Sequence, residues 1–448
     1  MQYDLIIANG QVVTPEATFR AAVLVKEGKV AGFVSGDVLP PARETYDASG
    51  LYVLPGLIDI HVHFRDPGLT YKEDFGTGSL AAAYGGITTV VDMPNVNPPT
   101  ATVEAFQLKL AEASKKSYVD FGIVGVVFEE NIGEIEKLAD AGVVGFKIFM
   151  GETVGKLPAP SDGGIIEAMK VIARTGLRVG VHAENNQILR YYTEKLKAAG
   201  RTDPVAHVEA RPNIAEAECI ARAIMFAEHA GAKLHIYHMS SREGVDLVAA
   251  AKRRGVDVSA ETGPHYLLLD YTHMHKVGSM LKMNPPVRAK EDQQRLWEGL
   301  LDGTIEAVAT DHSPHTLEEK LKDNIWEAIP GFCGVETSVP LMLTEVNKGR
   351  MTLNHYVKVA SEGPARLFNM YPQKGCLRIG SDADFTIVDM NREGVIKAEA
   401  LHSKSKVTPF DGFQVKGMPV STIVRGKFVV RDGKLVGGPF GQLVRPVR

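Results

Sequence analysis

Through the middle of this chain, short apolar runs alternate with longer stretches whose apolar residues recur at helical spacing. Eight runs stand out: VLPGLIDIHVH from Val53, ITTVVDM from Ile87, VDFGIVGVV from Val119, VVGFKIF from Val143, LRVGVH from Leu177, KLHIYH from Lys233, VDVSAE from Val256 and IEAVATD from Ile305. That alternation is expected of parallel strands joined by crossover helices. Intervening segments such as TVEAFQLKLAEASKK and EDQQRLWEGLL carry charges on the face left free by their apolar residues, as outer-ring helices do. Eight repeats predict an α/β fold, a closed (β/α)8 TIM-like barrel.

The two ends read differently. YDLIIA, Asn9-Gly10 and QVV, then AAVLVK, Glu27-Gly28 and KVAGFV, have the pattern of short strands joined by hairpin turns. DADFTIVDM and STIVRGKFVVRDGKLVG repeat it at the far end, broken at Gly426 and at Asp432-Gly433. These tails predict one β-rich domain split in sequence, residues 1–53 and 369–448, around a barrel of residues 54–368.

Composition narrows the partners. With 44% hydrophobic and 23% charged residues over 448 positions, the chain has material for a large core. A net charge of −4 without long runs of one sign points away from nucleic acid and anionic membranes, and towards a small molecule. Cys219, Cys333 and Cys376 are scattered and odd in number, which suits a reducing cytoplasm and neither a disulfide framework nor a C-x-x-C zinc site. The start, MQYDLIIANGQVV, lacks an export signal's pattern, and no segment approaches a membrane span, so a cytoplasmic location is expected.

In a β/α barrel the strand ends form one mouth, so the polar residues that close the runs carry the information. Run one closes with His61 and His63, run five with His182, run six with His238 and run eight with Asp311, while run four contains Lys147. His61 and His63, at i and i+2, point the same way and can share a metal ion. A second H-x-H, His273 and His275, lies in a polar stretch that reads as a solvated loop. Singly, His182 or His238 reads as a satisfied rim histidine. Together, four imidazoles and a carboxylate at one rim would be a costly burial of polar groups unless cations paired them, and they form a zinc-type ligand set.

Lys147 interrupts an apolar strand. Burial would lower its pKa and expose a neutral amine able to react with carbon dioxide, giving a carbamate able to bridge two metal ions; snorkelling to the rim or pairing with a carboxylate is the plainer alternative. Two metals so bridged would serve hydrolysis of an unreactive amide, with Asp311 as proton shuttle or, more simply, as a ligand alone. Asp59, one step deeper than His61, could orient an imidazole or serve packing only.

As an ordered set, PGLIDIHVHFRDPG, GGITTVVDMPN, GFKIFM, VHAEN, YHMSSREG, ETGPHY, NPPVR, ATDHSPHTLEEK and GSDADFTIVD resemble the cyclic amidohydrolases: dihydroorotases, allantoinases, hydantoinases and dihydropyrimidinases. The resemblance covers nearly the whole chain. It implies a β-sandwich built from both termini and two Zn2+ per chain, held by His61, His63, His182, His238 and Asp311 and bridged by a hydroxide and by N6-carboxylysine at Lys147. It also implies a homo-oligomer, a dimer or a tetramer. No ligand position is substituted, which argues against a non-enzymatic assembly protein such as the collapsin-response mediator scaffolds.

For the substrate, H-x-H-x-R before D-P-G and M-P-N after the second run are similar to dihydroorotases, in which the Arg and Asn hold a carboxylate; here they are Arg65 and Asn95. A rim salt bridge of Arg65 with Asp66 or Glu73 is the plainer alternative. The same resemblance assigns His315 to the carboxylate, Asn284 to the ring amide and Thr153, in GETVGKL, to a closing loop. The leading expectation is therefore a dihydroorotase interconverting N-carbamoyl-L-aspartate and L-dihydroorotate. The alternative is an allantoinase or hydantoinase, because DNIWEAIPG and the C-terminal segments look at least as much like those enzymes.

Overall fold

The computed structural model describes residues 2–36, 38–151 and 157–447. Eight parallel strands follow one another around a barrel: Leu57–Val62, Ile87–Asp92, Asp120–Val126, Gly145–Phe149, Arg178–His182, Lys233–Ile236, Val258–Thr262 and Ala307–Val308. Each coincides with a predicted run, the seventh reaching one residue further, to Thr262. The ring is drawn together at the mouth, where Val62 pairs with His312 and the His63 amide donates to the His312 carbonyl at 2.8 Å. Apolar side chains on the strands pack beneath helices such as Val103–Lys116, capped by the Thr102 hydroxyl, and Asn213–Ala230.

Both termini build the flanking sheets. One has four strands, and the other has seven, in which Tyr52–Pro55 pairs with Phe385–Val395 from the far end of the chain. Leu5, Val23 and Val53 share an apolar core with Phe385, Ile387 and Ile423, so the two tails form one packed body. Two-residue turns at Glu27-Gly28, Arg425-Gly426 and Asp432-Gly433, all with positive φ, close hairpins as expected.

Three expectations need correction. Asn9-Gly10 does not close a hairpin: Tyr3–Ala8 lies in the four-stranded sheet and Gln11–Val13 in the seven-stranded one, beside Tyr52 and Val53. A turn signal is local, and here distant partners decide the pairing. The run from Val53 is two strands, since the chain leaves the outer sheet at Pro55 and enters the barrel at Leu57. Gly56 makes the passage because a Cβ there would strike the Thr88 hydroxyl and come within 2.6 Å of Asp384 Cβ. His273 and His275 lie on short helical turns rather than in a loop, with His273 closing a capping box with Asp270.

A buried ionic lock joins barrel and sandwich. Lys374, 1% exposed, reaches Asp120 Oδ2 at 2.5 Å, Asp384 Oδ2 at 2.8 Å and Asp382 Oδ2 at 2.9 Å. Asp120 opens the third barrel strand and also pairs with Arg425, while Lys29 reaches Asp382 at 2.6 Å. Among the described residues no helix is long and apolar enough to cross a membrane, and all three cysteines are free and buried. Removing one member of such a buried set leaves unpaired charge, so Lys374→Met is expected to lower stability by about 3–5 kcal/mol. An unchanged urea midpoint would show that the three carboxylates are satisfied without it.

Candidate metal centre

The strand ends open onto one cavity, and eight of the predicted site residues line it: His63, Arg65, Asn95, Lys147, His182, His238, Asn284 and Asp311. His61 and His315 sit immediately behind that lining, fully buried. Thr153 lies outside the described residues. Three of the converging residues, Arg65, His238 and Asp311, hold φ of 61°, 42° and 46°, a backbone region that non-glycine residues rarely adopt. In strand six, Leu234 and Ile236 join the cluster under the helices, so strict alternation would send His238 outward too; its turned backbone brings the ring to the cavity instead. Strain of this kind persists only where the surroundings enforce it, and it concentrates at functional sites.

The ligand atoms fall into two joined groups. Asp311 Oδ1 lies 3.0 Å from His63 Nε2 and 3.3 Å from His61 Nε2, and Lys147 Nζ lies 3.0 Å from the same His61 nitrogen. His182 Nδ1 and His238 Nε2 face each other at 3.0 Å. Burial, with the nearby Lys147 charge, lowers His61 to about 4, and burial lowers His63 to about 3. Burial also lowers Lys147 to about 8, towards the neutral amine. Its Nζ rests 4.4 Å from the centroid of the Tyr237 ring, which lies so close over Gly180 that a Cβ on that residue would enter it. Burial opposes the charge of Asp311, yet the surrounding imidazoles keep it ionised far below the usual carboxylate range.

These atoms fit divalent cations. His61 Nδ1 is hydrogen-bonded to the Glu261 carboxylate and so carries the proton, which leaves the Nε2 lone pair aimed at an ionised Asp311 oxygen. Among the described residues Lys147 Nζ, 3.0 Å from that nitrogen, is the positive group beside this pair, and burial draws it towards neutrality, which leaves room for a divalent cation. Imidazole nitrogens with a carboxylate suit zinc-type ions.

Other buried groups fix this set, and several were not anticipated. Glu261 touches the His61 ring, lies 3.2 Å from His235 Nε2 and accepts from the His238 amide at 3.3 Å. It closes the seventh run, so the rule that singled out the other strand-end residues could have found it. Asp59, by contrast, orients no imidazole: its carboxylate accepts from the backbone amides of His61 and Thr310 and from the Thr310 hydroxyl. Glu184, two residues beyond His182, accepts from that ring at 3.0 Å and pairs with Arg211. Asp92 receives the Phe64 amide at 2.7 Å and pairs with buried Lys109, anchoring the backbone between His63 and Arg65; a lysine within a helical run gave no signal of this.

Arg65 is not a rim salt bridge. It is buried, with Nε donating to the Pro314 carbonyl at 3.3 Å and Nη2 3.1 Å from His315 Nε2, and no carboxylate among the described residues forms an ion pair with it. Asp66 pairs with Lys116 instead, and Glu73 accepts from Thr77 and the Lys404 amide. His315 therefore stands behind the guanidinium, between Arg65 and Lys72, and does not line the cavity. Asn95 and Asn284 each present a buried side-chain oxygen without a hydrogen-bond partner among the described residues.

A profile of the amidohydrolase family matches residues 52–429. The chain belongs to the amidohydrolase family. It is 42% identical over 99% of its length to an L-hydantoinase of Paenarthrobacter aurescens, covering 98% of that protein. It is 41% identical over its whole length to an allantoinase of Rubrobacter xylanophilus, again covering 98% of it. A dihydroorotase of Methanothermobacter thermautotrophicus is 38% identical over 97% of this chain and 96% of its own. The solved L-hydantoinase from Arthrobacter aurescens superposes with a TM-score of 0.97 at 40% identity, over 99% of this chain and 100% of that one. The protein is thus a hydrolase of cyclic amides. Overall likeness favours the hydantoinase and allantoinase alternative over the dihydroorotase expectation.

Glu261→Gln keeps the shape but weakens the acceptor that fixes the His61 tautomer. It should fold normally and bind zinc about 10–100-fold more weakly, read by metal analysis after dialysis against a graded chelator. Unchanged zinc retention would show that Glu261 plays no part in holding the metal.

Proposed function

We propose that this chain is a metal-dependent ring-opening hydrolase of the hydantoinase and allantoinase type, cleaving an amide C–N bond of a cyclic ureide to give a carbamoyl acid. The observation that carries this reading is the convergence of His61, His63, Lys147, His182, His238 and Asp311 at one barrel mouth. The reading assigns two zinc ions to these side chains, which would hold them with Lys147 carboxylated. Buried free cysteines fit the cytoplasm, and the exposed apolar Tyr71, Leu317 and Leu321 offer a surface for a dimer or tetramer.

Metal ions held by these residues would supply an activated water molecule and a polarised amide carbonyl. The remaining work falls to the chain's own groups. Asp311, ionised and held beside His61 and His63, takes a proton from the attacking water and delivers it to the departing ring nitrogen as the C–N bond breaks. The Asn284 oxygen is free to accept a ring N–H and fix which amide faces the metals.

Arg65 supports a second reading. A buried guanidinium that lines the cavity beside Asn95, with no carboxylate among the described residues paired to it, suits a substrate carboxylate, as in the interconversion of N-carbamoyl-L-aspartate and L-dihydroorotate.

Zinc-loaded protein offered allantoin, 5-substituted hydantoins and dihydroorotate should open a hydantoin or allantoin fastest; turnover of dihydroorotate alone would instead establish the second reading. Arg65→Met separates the two further. It should leave neutral rings nearly unaffected, whereas loss of one charge-assisted hydrogen bond to a carboxylate, worth about 1.5–3 kcal/mol, would weaken dihydroorotate roughly 10–150-fold. Asp311→Ala should fold and lose turnover by about 10²–10⁴-fold or more, and substantial residual activity would remove its role as shuttle.

A further inference from the structure

A second cavity adjoins the first, and Asn284 and Pro330 line both. One wall is a single face of the helix Asn186–Ala198, which presents Arg190, Glu194 and Lys197. Arg211, Lys282 and Trp326 also line the cavity. Four cationic side chains, Arg190, Lys197, Arg211 and Lys282, thus meet one lining carboxylate among the described residues, Glu194, in a chain whose net charge is −4.

Two of them, Lys197 and Lys282, form no ion pair with a carboxylate among the described residues. Arg211 is paired with Glu184. Lys282 is buried and donates to two neutral acceptors, the carbonyls of Ile325 and Ala328, each at 2.6 Å. Burial lowers it to about 8, so it remains mostly charged at pH 7. His207 adds no charge, because burial holds its ring far below the usual imidazole range while Nε2 donates to the Met283 carbonyl at 2.9 Å. Lys197 is exposed at the rim, its Nζ 5.5 Å from the centroid of the Trp326 ring. Arg65 lines only the catalytic cavity, so these cations are a separate source of positive potential.

We propose that the second cavity is an anion site for the far, carboxylate-bearing end of a substituent on the ring held in the catalytic cavity. Asn284 and Pro330 line both cavities, so a substituent leaving the ring past them would reach the second one. This rests on the ring-opening reading above and narrows it: the preferred substrates are cyclic ureides with a side arm several atoms long that ends in an anion. Lys197 and Lys282 supply the charge, and the helix face supplies the wall.

The test compares neutral and charged isosteres, 5-(2-carbamoylethyl)hydantoin and 5-(2-carboxyethyl)hydantoin, on the zinc-loaded full chain. Wild type should favour the carboxylate at least about tenfold in kcat/KM, and Lys197→Glu should lower that ratio by a similar factor. Equal kcat/KM for the two rings, or a ratio untouched by the charge reversal, would overturn the proposal while leaving the ring-opening reading intact. If neither ring is opened, that reading fails separately, and calorimetric binding of N-carbamoyl-L-glutamate against N-carbamoyl-L-glutamine decides the anion site. Tighter binding of the glutamate, lost in Lys197→Glu, supports the site; equal binding, or none of either, overturns it.

Discussion

Withdrawal of ionisable groups from water at the strand ends is the constraint on which this structure turns, because every imidazole, amine and carboxylate at the mouth is destabilised in its charged form unless something opposite compensates it. His61, His63 and His238 respond by staying neutral, and Lys147 moves towards neutrality. Asp311 remains an anion beside the His61 and His63 rings. The arrangement is poor for a protein alone and good for one that holds divalent cations, so the same desolvation that costs stability creates affinity for metal.

Holding such a set in place requires a surrounding layer as ordered as the ligands. Glu261, Glu184 and Asp92 are buried carboxylates, and each fixes either an imidazole or a stretch of ligand-bearing backbone. Lys109 and Arg211 neutralise two of them, so the supporting layer is itself charge-balanced. The backbone contributes as well: the turned residue at His238 brings to the cavity a ring that regular strand alternation would aim outward.

Much of this is legible in the chain itself. Eight apolar runs locate eight barrel strands, and polar residues closing those runs converge at one mouth, because both signals arise from burial and burial follows local pattern. The failures share a cause as well. Asn9-Gly10 reads as a hairpin and Val53 as the start of a barrel strand, yet strand pairing is decided by partners far away along the chain. Asp59 is the carboxylate nearest His61 in sequence, whereas Glu261, from another strand of the ring, is the one that holds the imidazole. Motif likeness around Arg65 suggests one substrate, but the chain as a whole is more similar to enzymes named for other rings.

The direct passage through Gly56 from outer sheet to barrel has a bearing on biosynthesis. Tyr52–Pro55 has Gln11–Val13 on one side but meets its other neighbour in Phe385–Val395, so one flank at the root of the first barrel strand stays unanchored until the last part of the chain leaves the ribosome. With contacts so distant in sequence, acquisition of the native state is a late and slow event, and the nascent polypeptide must keep an unsatisfied sheet edge from aggregating in the meantime.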